Sequence, residues 1–210
     1  FARMKHTRNF LIILAAAFFL LVTGAAAVRS EKPEKVLTRW FFNDLRLFQS
    51  QMMDLQEAVA NHLPDDSLQQ KFRRGRITYK RLELFLEYYF PQFTGALNAP
   101  AIRMAEDKSP PQGMQVIEEQ IFPGTDPEGF RKLLGDTYKL NSVIQILAGF
   151  EPYFEVNHAM PDALMEELYR IITLGITGFD SPVSLYSIPE NAEALRAVRE
   201  CLRLMEEDLT

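Results

Sequence analysis

Cysteine is almost missing from this chain: of 210 residues only Cys201 is one. A single thiol excludes an intramolecular disulfide and also the Cys-x-x-Cys-His attachment of c-type haem. Cys201 lies three residues after Val198 and one before Leu202, so it reads as a small core residue. Histidine is scarce too, with three residues, of which only His62 and His158 lie beyond the first few positions. No G-x-S-x-G occurs, and neither of these histidines sits in a context that would activate a serine. Strand-like alternation, internal repeats and low-complexity tracts are absent as well. Basic charge is in deficit, 23 Lys and Arg against 28 Asp and Glu. Phosphate backbones require clustered cations, so nucleic acid is a poor partner.

Long apolar runs are missing except at the start. Met4 is followed by Lys5, His6 and Arg8, then by "FLIILAAAFFLLV" (Phe10 to Val22) and by Ala25-Ala26-Ala27. A basic region, an apolar core and a small-residue end make a secretory signal, with cleavage expected after Ala27 and a periplasmic destination. The strict run has 13 residues, short of the ~20 needed to span a bilayer. A membrane would become a partner only if the signal stayed uncleaved. Phe1-Ala2-Arg3 read as translation upstream of the true start. Residues 28–210 are then one domain, open at its C-terminus. Of the 23 bases, Arg3, Lys5 and Arg8 leave with the signal, so 20 face 28 acids and the mature charge is −8.

What remains reads as helices cut by proline. The first runs from about Pro33 to Asn61 and the second from about Asp65 to Phe90. In the second, Leu68, Phe72, Gly75, Tyr79, Leu82, Leu86 and Tyr89 step by four and three, the period of a packed seam. Ser67 with Gln70, or Asp65 or Asp66, is placed to cap its start. Gly75 in the seam predicts a close approach by a neighbour. A long connection, Pro91 to Gly113, leads to a short helix within "PPQGMQVIEEQIFP" (Pro110 to Pro123). A helix from Asp126-Pro127, one from Pro161 to about Phe179 and a last one after Ser187-Ile188-Pro189-Glu190 complete the set. The latter four residues spell a capping box with proline in the first turn. The expected fold is all-α: an antiparallel up-and-down helical bundle of about five long helices and one short one.

Two groups of residues could carry chemistry. Glu155 and His158 form the only Glu-x-x-His, in a connection between Pro152 and Pro161. A di-metal carboxylate bundle needs two such pairs on two helices, so these are weak metal candidates. The second group is the charged stripe of the second helix, Arg73, Arg76, Lys80, Glu83 and Glu87. Its bases lie in the first half and its acids in the second, against the helix dipole. Neighbouring elements must match such an order, unless the face is solvated. Gln115, Glu118 and Glu119 share one face of the short helix at i, i+3 and i+4, so Glu118 and Glu119 are expected to pair with Arg73, Arg74 or Arg76. The predicted structural network is Arg73, Arg76, Gln115, Glu118 and Glu119, with no catalytic or cofactor-binding residue.

"FRRGRITYKRLELFLEYYFP" (Phe72 to Pro91), "LNAP" (Leu97 to Pro100) and "PQGMQVIEEQIFP" (Pro111 to Pro123) together resemble the helical domain that precedes the haem domain in some bacterial di-haem cytochrome c peroxidases. That domain is similar to imelysin-type helical bundles, whose G-x-H-x-x-E motif falls here on Gly113 to Glu118. Gln115 stands where the motif has histidine, and an amide is a poor transition-metal ligand. The resemblance implies an exported parent that reduces hydrogen peroxide with cytochrome electrons. Its partners would be the haem domain of the same polypeptide or a redox protein. No cofactor is expected in this chain, and haem c only in a domain beyond Thr210. The alternative it implies is a separate imelysin-like protein that binds iron or another ligand.

Overall fold

A computed structural model describes residues 31–99, 111–122 and 124–206. The expected signal, residues 1–27, lies outside the described residues. Pro33 to Thr210 form one compact unit. Its described part is helical, with α1 at Pro33–Ala60, α2 at Asp65–Tyr89, α3 at Pro91–Asn98, α4 at Met114–Ile121, α5 at Gly129–Ala148, α6 at Met160–Arg170 and α7 at Ser187–Glu206. None of these helices is long and apolar enough to cross a membrane.

The all-α reading holds, and two details change. The connection after Phe90 contains a helix, α3, which Pro91 starts at its first turn. Proline also drives the preceding residue out of helical conformation, which separates α2 from α3 at Phe90. The helix read from Pro161 to Phe179 is α-helical only to Arg170 and continues as a π-turn over Ile171–Gly175. Ile176 N–H bonds to Ile171 C=O across five residues at 2.9 Å. Gly175 sits against the side-chain amide of Asn191, which would have to shift to admit a Cβ. The wider turn lets the chain pass over α7 at that point.

α2 is the axis of the bundle. It packs on α1 through one side and on α6 and α7 through the other, while α5 lies on the far side of α1. Between α1, α2 and α5 the core is apolar, with Phe41, Phe48, Leu55, Phe72, Tyr79, Leu82, Leu140 and Ile144 at most 1% exposed. Each such side chain contributes about 1.5–3 kcal/mol of transfer free energy. Gly75 is approached as its place in the seam predicts, by the Met52 methyl. At one end Phe41, Phe90 and Phe154 stack against one another, Phe90 and Phe154 with centroids 4.7 Å apart. The connection 149–159 is thereby pinned to the bundle, and Val156 N–H also bonds to Thr38 Oγ1 at 2.8 Å.

α4 is held by its start. Gly113 forms an isolated bridge with Asn98 and has φ +93°. A Cβ there would lie 2.6 Å from the Leu97 carbonyl, so only glycine is accommodated. Met114, Ile117 and Ile121 then bury completely.

Candidate functional site

The other side of α2 is polar. Arg76, Lys80 and Glu83 follow at steps of four and three, and all three are 1–2% exposed. They face Glu167 and Arg170 of α6, Asp180 and Ser181 of the following turn, and Glu190 of α7. The Arg76 guanidinium donates through Nε to Glu190 Oε1 at 2.9 Å and through Nη2 to Glu190 Oε2, a two-pronged pair. It also donates to Asn98 Oδ1 and to the Asp180 carbonyl at 2.9 Å. One side chain thus ties α2 to the end of α3, to the turn before α7 and to α7 itself.

A turn further along, Lys80 Nζ donates to both Glu83 oxygens, at 2.7 and 3.0 Å, and to Asp180 Oδ2 at 2.7 Å. Arg170 reaches back from α6 to Glu83 at 3.3 Å and to Glu87 at 3.1 Å. Acids outnumber bases in this layer. Glu83, Glu87, Glu118, Glu167, Asp180 and Glu190 face Arg76, Lys80 and Arg170, so full ionisation would leave a net negative interior. Protons settle the difference. Burial, and then Glu83, push the Glu167 carboxyl well above the usual range, and neither of its oxygens has a hydrogen-bond partner. Burial also lifts Glu87 to about 7, against the pull of Arg170. Asp180 is the opposite case: burial works against its charge, but Lys80 outweighs this and holds it below the usual range. The Tyr79 hydroxyl, pushed up by burial and by Glu83, lacks a partner at the edge of the same layer.

Of the residues expected in the network, Arg76 lies at its centre, but with Glu190 rather than Glu118 or Glu119. Glu118 is buried and accepts the Ser184 N–H at 2.8 Å, so it fixes the 180s turn instead of an arginine. Gln115 is buried and donates to the Asn98 carbonyl at 3.4 Å. It reaches Arg76 only through that asparagine. Glu119 is exposed. Arg73 places its guanidinium over the rings of Phe122 and Tyr186, 5.2 and 5.4 Å from their centroids, and Arg74 is exposed. The short helix therefore anchors on the ends of α3 and the 180s turn. Glu155 and His158 are exposed on the pinned connection. Among the described residues no three of His, Cys, Asp and Glu come together as metal ligands.

Two sequence expectations are replaced. Glu190 reads as the acid of a capping box, yet both its oxygens serve Arg76. Asp65, expected at the cap of α2, accepts the Thr125 N–H at 3.1 Å instead. The single signal for Glu190 as a network partner was that the charge order of α2 demanded an acid from elsewhere.

Outside this layer the exposed large apolar side chains concentrate in one stretch of the chain. Half of the sixteen large apolar side chains exposed among the described residues fall between positions 165 and 188. Met165, Tyr169, Ile172 and Ile176 step by four and three along α6 and the π-turn, and Leu185 and Ile188 follow at 80% and 81% exposure. Leu185 has φ +53°, a left-handed conformation that costs a non-glycine residue about 1 kcal/mol or more. The turn that carries Leu185 is fixed by the bonds of Asp180 to Arg76 and Lys80 and of Ser184 N–H to Glu118. No model of a known protein family matches the chain, and no curated protein is significantly similar to it.

Proposed function

We propose that the chain is a non-catalytic helical module of an exported di-haem cytochrome c peroxidase, and that the apolar face between 165 and 188 seats the haem domain of the same polypeptide. The observation that carries this reading is the concentration of exposed apolar side chains on one stretch. Scattered apolar residues on a surface need no explanation, whereas a contiguous group marks an interaction site. Leu185 strengthens the case, because a large apolar residue is kept both exposed and in a strained conformation where glycine would fit better. The buried ion network supplies rigidity, so the face meets its partner preformed and loses little entropy on docking. The stretches Phe72–Pro91 and Pro111–Pro123 resemble the peroxidase domain, and Arg76, Lys80, Glu83 and Glu118 of that support fall within them.

In this reading the module does no chemistry on peroxide. It orients the haem domain, and the haems lie beyond Thr210. The test is an antiserum raised against residues 28–210, applied to the periplasmic fraction of the native organism and compared with haem staining of the same denaturing gel. The reading expects one band that carries both signals. A band at or below the 24.2 kDa of the present chain, without covalent haem, would overturn it.

A further inference from the structure

The buried charge layer leaves one group over. Glu167, in the middle of α6, is 1% exposed, and among the described residues neither of its oxygens finds a hydrogen-bond donor. The cations around it are engaged elsewhere: Arg76 with Glu190, Lys80 with Glu83 and Asp180, and Arg170 with Glu83 and Glu87. Glu167 faces Glu83, Glu87 and Lys80 of α2 and Arg170 of its own helix. Asp180 of the following turn and exposed Glu166 add their charge at Glu87. The Tyr79 hydroxyl of α2, pushed up by burial, supplies none. From α7, Glu190 faces the same layer and is matched by Arg76. With that matched pair set aside, Glu83, Glu87, Glu167 and Asp180 confront only Lys80 and Arg170.

We infer that α6 and the π-turn form a proton-operated latch: protonation of Glu167 and Glu87 keeps them closed on α2, and loss of those protons releases them while α1, α2 and α5 stay folded. Apart from these groups the hold of the segment is modest, since its buried apolar residues are Met160, Ala163, Leu164 and Ile171. In the closed state, ionised Glu87 and Glu167 stay desolvated beside Glu83; in the released state they reach water. The sign follows from that difference. A carboxyl whose closed-state pKa lies above its free value favours closure at low pH, and the preference fades as pH rises through the closed-state value, about 7 for Glu87. The apolar core between α1, α2 and α5 lies across α2 and contains none of the four acids, so the opening is local. Freed from α2, an 11-residue helix is too short to persist in water and unwinds. Met165, Tyr169, Ile172 and Ile176 are carried on this segment, so the latch sets whether the apolar face is presented. The latch itself does not depend on which partner that face receives.

The test is hydrogen–deuterium exchange of the purified chain, read by mass spectrometry from about pH 5.5 to about pH 8.5 and corrected for the intrinsic rate at each pH. Protection of amides 165–176 should fall at least about tenfold across that range, while α1 and α5 change by less than about twofold. Glu167→Gln combined with Glu87→Gln keeps the shape of both side chains and removes their titration. In that variant the protection should stay constant within about threefold. Equal loss of protection through all the helices, a change of less than about threefold in the segment, or an undiminished fall in the double variant overturns the inference. The first two outcomes are read on the unaltered chain and need no variant.

Discussion

Removing the Arg76 guanidinium separates buried from exposed ion pairing within this one molecule. Arg76→Leu leaves the Glu190 carboxylate, 1% exposed, without its two-pronged partner, and strips a donor from Asn98 Oδ1 and the Asp180 carbonyl. Breaking one side of a buried pair costs about 3–5 kcal/mol, because the other charge stays desolvated. That is a large share of the roughly 5–15 kcal/mol that holds a domain folded. With a urea dependence of about 2 kcal/mol/M, the midpoint should fall by about 2 M, and the melting temperature by about 10 °C. An internal control exists. Arg46 donates to both oxygens of Glu151, at 2.7 and 2.8 Å, but those side chains are 50% and 49% exposed. Arg46→Leu should therefore cost no more than about 1 kcal/mol. Arg76→Leu combined with Glu190→Leu buries no orphan charge and should recover at least about 1 kcal/mol relative to the sum of the single changes. Urea unfolding followed by circular dichroism at 222 nm reads the unaltered chain and the four variants, Glu190→Leu alone among them. Equal midpoints for Arg46→Leu and Arg76→Leu, or a double variant that equals the sum of the singles, would refute the reasoning.

Further outcomes follow from the same structure. The Glu87 carboxyl titrates at about 7 in the folded protein and at about 4.3 when unfolded. The native state thus keeps a proton that the unfolded chain has lost, and stability drops by roughly 3 kcal/mol as pH rises from about 4.5 through 7. Glu167 acts in the same direction, while Asp180 contributes stability that is lost only in acid, below its unfolded value near 3.9. Urea midpoints should accordingly be lower at pH 8 than at pH 5, with Glu87→Gln flattening the profile; a rise between those values contradicts the sign. Gly113→Ala meets the Leu97 backbone at φ +93° and should cost about 2 kcal/mol or more, whereas Gly95→Ala, with nothing within 4 Å, should gain up to about 1 kcal/mol. Thermal melts of the two variants should move in opposite directions. Ile176→Asp with Leu185→Asp should leave the bundle's own urea midpoint nearly unchanged, within about 0.5 kcal/mol, and, under the function proposed above, should split the melting of bundle and haem domain in the full polypeptide into two transitions. A single unaltered transition would place the docking face elsewhere.

The seam of α2 was legible because the steps from Leu68 to Leu86 leave one helical solution, and the helix ends were legible from proline. The π-turn was not, since Gly175 packs there on Asn191, a neighbour in space sixteen residues on. The charge stripe Arg73 to Glu87 was equally plain, and its reversed order asked for partners. Sequence proximity pointed to Glu118 and Glu119, but the closing of the 180s turn brings Glu190 to Arg76 and gives Glu118 a backbone N–H. Local pattern shows which acids share a helix face, and carries no information about which helix the fold brings against Arg76. The apolar face had the same obscurity: Met165, Tyr169, Ile172 and Ile176 have the spacing of core residues, and only the packing of α6 on α2 through Ala163, Leu164, Glu167 and Ile171 shows that they look outward.

The central claim, that this bundle is the docking module of a haem peroxidase, is tested most directly by sequencing the native transcript past the codon for Thr210. The account predicts a frame that continues into a domain with two Cys-x-x-Cys-His motifs. A stop codon within the next few positions would contradict it.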